Sequence, residues 1–179
     1  MSAILKSKGI PARCRSGFSP YCSPGISGDH WLNQYWNENE KRWITFDADG
    51  FFDLEFNQFD IPVDKFDWAA KTWLDIRHKK VDGQQFVYAD GKETNGLKAA
   101  IRAIFYDFHA LMNNELSYKF QPSYSKFERL TENDLIEIDE LAELMIKPEE
   151  NFDKLIEIWE TKRKYRIVNS PLIGDNDHK

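Results

Sequence analysis

The sequence predicts an α+β protein in which a small antiparallel β-sheet is followed by several helices. Short runs of alternating apolar and polar residues, separated by turn-forming residues, fill the stretch from residue 12 to residue 50 and are typical of strands. From residue 64 onward the apolar residues repeat every three to four positions, which is typical of helices. Strands first and helices afterwards is the order of an α+β domain.

Length and composition narrow the class of protein. A chain of 179 residues fits one domain, with a sheet-forming part over 1–60 and a mainly helical part over 61–179. The net charge of −6 gives nucleic acid no electrostatic attraction. No segment has the length and apolarity of a membrane span, and no signal peptide pattern is visible, so we expect a cytoplasmic protein that binds neither nucleic acid nor membrane.

The first segment, "MSAILKSKGIPAR", has the features of a helix end. Basic residues are followed by Gly9 and Pro11, which is a common stop signal. No N-cap residue and no acidic first turn stand before it, and about seven residues are too few for a helix to persist alone. We therefore expect a helix whose front half precedes Met1.

Three strands are predicted next. "ARCRSGF" alternates, so it predicts a strand with one sheltered face formed by Ala12, Cys14 and Ser16. "SPYCSPGISG" has the Pro, Gly and Ser content of a loop. "HWLNQYWN" and "RWITFDAD" then predict two antiparallel strands joined by the turn "ENEK".

Four helices are predicted after an irregular stretch, and they cover "DKFDWAAKTWLDIRHKK", "GLKAAIRAIFYDFHALMNN", "TENDLIEIDELAELMIK" and "PEENFDKLIEIWETKRKY". The second carries an apolar stripe from Leu97 to Met112. The third opens with Thr131 and Asp134 as a cap pair, and Pro148 marks the start of the fourth.

Two candidate catalytic residues lie on the paired strands. A neutral imidazole at His30 can take a proton from a thiol and return it to a leaving group. If Asp47 is its cross-strand neighbour, the carboxylate can hold the imidazole in the required tautomer. The alternatives are a non-catalytic histidine at a strand end and a turn-forming aspartate beside Asp49 and Gly50. The glycine comes too early for an EF-hand calcium loop.

The other reactive side chains offer weaker candidates. Cys14 shares its face with small residues, which indicates a buried filler. Cys22 lies in a loop close to His30 in sequence, whereas thiol and histidine partners usually come from distant segments. His78 fits a cation at a helix end, and His109 fits a buried core residue. No metal-ligand spacing and no cofactor motif is present. Three tryptophans of the paired strands indicate core or groove wall: Trp31, Trp36 and Trp43.

The segments "LKSKGIPARCRSGF", "DHW" and "RWITFDAD" resemble the core of the transglutaminase-like superfamily, which carries a papain-like set of Cys, His and Asp. The resemblance covers residues 3–50 in order and spacing, while 51–179 match no general motif of the superfamily. It implies that His30 is the general base and Asp47 its orienting carboxylate. The nucleophilic cysteine of the family lies at the N-terminus of the helix before the "GIPAR" strand, where the helix dipole favours thiolate. That position falls before Met1.

The resemblance implies a cysteine-dependent protein that acts on peptide or protein amides, either hydrolysing them or transferring the acyl group to an amine. If Met1 is the natural start, covalent chemistry is lost and the same scaffold becomes a binding module with an aromatic groove. A third, unrelated possibility is an interaction protein whose segment "ENDLIEIDELAELM" docks a partner.

Overall fold

The computed structural model describes residues 1–49, 54–88, 91–116 and 129–166. Within them the helices are α1 (Ser2–Ser7), α2 (Ala69–Arg77), α3 (Leu97–Leu111), α4 (Glu132–Ile146) and α5 (Phe152–Thr161). The strands are β1 (Ala12–Ser19), β2 (Ser27–Asn37), β3 (Arg42–Phe46), β4 (Asp67–Trp68), β5 (Phe86–Tyr88) and β6 (Gly91–Asn95).

The strands form one sheet in the order β4-β1-β2-β5-β6, and β3 pairs with β2 beside this path. The predicted α+β class is confirmed. The sheet is mixed rather than purely antiparallel, because β5 lies parallel to β2 while the other pairs are antiparallel. The chain passes through α2 between these two strands, and such a crossover allows a parallel pairing.

The edge of β2 that faces away from β1 is shared by two other strands. β1 covers one edge of β2 from Gly28 to Tyr35. On the other edge, β5 pairs only at the start of the strand, and β3 pairs only from Asn33 onward. Residues 29–32 therefore lie in a gap between β5 and β3. His30 falls inside this gap.

β1 is buried on both faces, so the predicted single sheltered side is wrong. Phe18 is fully buried in the main core. On the opposite side Arg15 is only 5% exposed. Its guanidinium lies 5.0 Å from the Trp68 ring centroid and pairs with a carboxylate of α3. Arg15 is thus buried as an ion pair, whereas Arg13 on the same side of the strand is only half-buried.

α3 is the central helix of the fold. The predicted apolar residues between Leu97 and Met112 are buried, while these two end residues are half-buried; burial also extends almost all round the helix and includes Asp107 and His109. The helix packs against β1 on one side and α2 on another. Within the described residues no helix has both the length and the apolarity needed to cross a membrane.

α4 begins where the sequence predicts, while α2 and α5 begin later. α2 begins only at Ala69, because residues 67 and 68 pair with β1 instead of starting a helix. α4 begins as predicted, with Thr131 and Asp134 in a reciprocal capping box. α5 begins four residues after Pro148, because 147–151 form a turn closed by backbone bonds to Lys147.

The apolar face of α4 is covered by the chain itself. Ile138, Leu141 and Met145 are fully or almost fully buried in the main core. The segment that the sequence suggested as a docking helix thus packs internally, mainly against α2.

Candidate active site

His30 and Asp47 form a direct contact. The register pairs Asn33 with Phe46, so Asp47 follows one position further and falls on the same sheet face as His30. The imidazole Nε2 lies 2.7 Å from Asp47 Oδ2. Because a carboxylate accepts, Nε2 is the nitrogen that carries the hydrogen. This orientation puts the other ring nitrogen, Nδ1, on the opposite edge of the imidazole.

The carboxylate of Asp47 is held on both oxygens. Tyr21 donates its hydroxyl hydrogen to Oδ2 at 2.8 Å, the same oxygen that bonds to His30. The backbone N–H of Asp49 donates to Oδ1 at 3.0 Å. The backbone N–H of Asp47 itself donates to the Gln58 carbonyl at 2.9 Å, which fixes the main chain just beyond β3.

Asp47 is 1% exposed and remains ionised. Burial alone would raise its pKa, but the hydrogen bonds from His30, the Asp49 amide and Tyr21 outweigh burial and lower the pKa below its ordinary value. The same carboxylate acts in the opposite direction on Tyr21, whose pKa is raised by burial and by its bond to Asp47. The tyrosine is therefore a permanent donor at neutral pH.

Gly17 of β1 lies directly across from His30 and also pairs with Trp68 of β4. A Cβ at this position would collide with the Asp67 carbonyl oxygen and stand 2.6 Å from the Phe66 ring. The absence of a side chain lets β4 approach at the level of the imidazole. This glycine is a structural requirement of the site.

Neither cysteine of the chain has the properties of an activated thiol. Cys14 lies 3.5 Å from the Ser2 hydroxyl on the other face of β1, and burial raises its pKa. Cys22 lies 2.7 Å from the Ser19 hydroxyl. Burial raises the pKa of Cys22, and the negative charges of Asp47 and Asp49 raise it further. Both thiols are protonated at neutral pH.

Three side chains of the site could approach a cation. One ligand atom from each of His30, Asp47 and Asp49 lies within 4.8 Å of the others. The Nε2–Oδ2 separation of 2.7 Å is that of a direct hydrogen bond. Ligands of one zinc ion stand roughly 3.3 Å apart, given metal–ligand distances of about 2.0–2.2 Å. The arrangement fits a shared proton better than a shared metal ion.

The three tryptophans of the paired strands do not share one surface. Trp31 packs against Tyr106 of α3, with ring centroids 5.4 Å apart, on the face opposite to His30. Trp36 and Trp43 contact each other edge to face at 5.8 Å. Only Trp43 lines a cavity of about 400 Å³, where Trp68 is also present.

The two helical histidines lie outside the site. His109 is fully buried, as the sequence predicted, and its Nδ1–H donates to the Phe105 carbonyl at 2.7 Å. Burial lowers the pKa of His109 to about 4. His78 is exposed at the C-terminal end of α2.

Sequence reasoning missed Tyr21. No motif links a loop tyrosine to a histidine nine positions later, since the contact depends on how the loop between β1 and β2 folds back. The one available signal was the pair Pro20 and Pro24, which restricts the backbone around Tyr21 and Cys22 and indicates a fixed loop.

Comparison of the chain with known protein families, with curated proteins and with solved structures finds no match. The likeness of residues 3–50 to the transglutaminase-like core therefore stands as an expectation from short motifs.

Proposed function

We propose that the chain carries the histidine and the carboxylate of a transglutaminase-like, cysteine-dependent protein that acts on peptide or protein amides. The observation that supports this most is the 2.7 Å contact between His30 Nε2 and the buried, ionised Asp47. A carboxylate in that place selects the Nε2–H tautomer and stabilises the imidazolium that forms when Nδ1 takes a proton.

The nucleophile in this proposal is a cysteine upstream of residue 1, at the start of the helix that leads into β1. Cys14 lies on the wrong face of the sheet for this role, and the pKa of Cys22 is raised rather than lowered. A helix N-terminus supplies the opposite effect, because its dipole and the nearby imidazolium both favour thiolate.

The reaction would run in two halves. His30 Nδ1 takes the thiol proton, and the thiolate attacks the amide carbonyl carbon. The C–N bond then breaks, the imidazolium returns its proton to the departing amine, and a thioester remains. In the second half water or an amine attacks the thioester carbonyl carbon and His30 takes a proton from the attacking group. The C–S bond then breaks, and the imidazolium returns the proton to the departing thiolate, which regenerates the thiol. Water gives a carboxylic acid, and an amine gives a new amide.

The test uses the protein expressed with its in-frame upstream codons. We expect a cysteine in the segment before residue 1, and we expect iodoacetamide to label it at neutral pH faster than Cys14 or Cys22. His30→Ala should slow that labelling by an order of magnitude or more, because the imidazolium stabilises the thiolate. His78→Ala is the matched control and should leave the rate unchanged.

Two results would contradict the proposal. One is an upstream reading frame that stops without a cysteine codon. The other is an upstream cysteine whose labelling rate is the same with and without His30.

A second candidate function is binding of a peptide without cleavage. It is favoured by the cavity of about 400 Å³ on the face of the sheet that carries His30 and Asp47. The lining includes Trp43 and Trp68 and reaches Thr45, two residues before Asp47. In that case Trp43→Ala would weaken peptide binding while His30→Ala would not.

A further inference from the structure

Tyr21 contacts both members of the His30–Asp47 pair. Its hydroxyl donates to Asp47 Oδ2 at 2.8 Å, and its ring stands edge-on to the imidazole with centroids 6.3 Å apart. We propose that Tyr21 is a positioning residue that fixes the carboxylate and the imidazole relative to each other and so maintains the Nε2–H tautomer of His30. The catalytic meaning of this role rests on the function proposed above, but the role itself does not.

The hydroxyl of Tyr21 restricts rotation of the carboxylate. Oδ1 of Asp47 is held by a backbone N–H two residues away on the same loop. Oδ2 has no backbone donor among the bonds described, and its two partners are the side chains of Tyr21 and His30. Without the phenol, His30 is the only one of these two partners left to orient Oδ2. A hydrogen bond to an ionised acceptor is stronger than a neutral one, so the phenol has a substantial effect on orientation.

The ring of Tyr21 is itself held in place. It packs edge to face on Phe56, with centroids 5.3 Å apart, and belongs to the small apolar cluster around Leu32, Ile61 and Phe66. This cluster lies on the sheet face that carries the pair. Packing of the ring therefore holds the hydroxyl in place beside Asp47.

The charge balance also suits a donor that does not titrate. Burial and the carboxylate both raise the pKa of Tyr21, so the phenol stays protonated at neutral pH. A lysine or histidine in this place would bring its own charge to Asp47. Tyr21 orients the carboxylate without neutralising it.

The test is a tautomer measurement on the chain as it stands. Long-range ¹H–¹⁵N NMR spectra of the ¹⁵N-labelled protein, recorded at about pH 8 where imidazoles are mostly neutral, give the ratio of Nε2–H to Nδ1–H forms. The chain has four histidines, and the spectrum of His30→Gln identifies the signals of His30.

We expect the Nε2–H form of His30 to predominate and Tyr21→Phe to lower the tautomer ratio about fivefold, the effect of losing one hydrogen bond. Tyr35→Phe is the matched control, since Tyr35 lies on the same strand as His30 and its ring packs against Phe46, with centroids 5.9 Å apart. It should leave the ratio unchanged. A fall of less than twofold in Tyr21→Phe, or a rise, would overturn the positioning role.

A second measurement needs no variant. Two donors that share Oδ2 place the Tyr21 hydroxyl proton and the His30 Nε2 proton about 3 Å apart, so a strong nuclear Overhauser effect should connect them in the unmodified protein. Absence of that effect while both protons are observed would also overturn the proposal. Neither measurement requires a nucleophile, so failure here is distinct from failure of the labelling test.

Discussion

Two buried aspartates, Asp47 and Asp107, are used in different ways by the same sheet. Asp107 of α3 is fully buried and receives the guanidinium fork of Arg15 at 2.8 and 2.9 Å, together with the Ser16 backbone N–H at 2.9 Å. Asp47 is equally hidden, but it receives an imidazole, a phenol and a backbone N–H.

The difference between the two pairs lies in whether the partner can exchange a proton. A guanidinium keeps its charge at every accessible pH, and the bidentate contact leaves Arg15 and Asp107 as a fixed link between β1 and α3. An imidazole titrates near neutral pH and keeps a second nitrogen for another group. The side chain of His30 is 13% exposed, against 7% for Arg15. The two buried carboxylates therefore differ in the chemistry that their partners allow.

The largest expected effect would come from breaking the structural pair. Asp107→Ala leaves the Arg15 guanidinium buried without its counter-charge, and we expect a loss of about 3–5 kcal/mol in the free energy of unfolding. Urea denaturation followed by circular dichroism measures the loss. Asp60→Ala removes a carboxylate from an exposed arginine and is the control, with a much smaller loss. Equal losses would mean that the Arg15–Asp107 link carries no special role.

A smaller effect, on activity rather than on folding, is expected at the site. For the protein expressed with its in-frame upstream codons, the proposed function predicts that Asp47→Asn lowers amide turnover about a hundredfold, equal to about 2.7 kcal/mol, because the imidazole loses its orienting charge. Asp49→Asn should have a minor effect, since its carboxylate lies 4.0 Å from Nε2 and is exposed. Turnover of a peptide amide and the melting temperature are measured together. Equal effects of the two variants on turnover would remove support for the role of Asp47.

The smallest effect concerns a histidine that has a carbonyl partner instead of a carboxylate. The pKa of His109 is lowered to about 4 in the folded protein from an ordinary 6.5. A depressed pKa means that stability is fully present above pH 6.5 and is lost as the pH falls toward 4. At pH 5 we expect this one residue to have cost about 2 kcal/mol relative to neutral pH.

His109→Phe removes the titrating group and keeps an aromatic ring against Trp159. In the unmodified protein the ring centroids of His109 and Trp159 lie 5.1 Å apart. Denaturation at pH 7 and pH 5 should show a smaller loss for this variant than for the unmodified protein. His78→Phe, at an exposed position, is the control. An unaltered pH dependence in His109→Phe would contradict the assignment of the lowered pKa.

The sequence was most informative where local chemistry decides the structure. The capping box at Thr131 and Asp134 was predictable because its bonds join residues three positions apart. The meeting of His30 and Asp47 was predictable because the turn between β2 and β3 sets their register. Both inferences need only a few neighbouring residues.

Contacts between distant segments could not be inferred in this way. Arg15 looked like a solvent-facing residue of an alternating strand, and its partner lies 92 positions further along the chain. Residues 67 and 68 belong to a helical pattern in the sequence, but in the structure they pair with β1. Tyr21 reached the site through the fold of a loop, which no periodicity describes.

Gly17 has a practical consequence for finding other proteins with this arrangement. Its position across from His30 tolerates no side chain, so a sequence search could require glycine, tyrosine, histidine and aspartate at the spacings seen in 17, 21, 30 and 47. A histidine and an aspartate alone would retrieve many unrelated hairpins. Requiring the glycine and the tyrosine as well makes the sequence pattern more selective, and a search of genome sequences can test whether the four residues occur together.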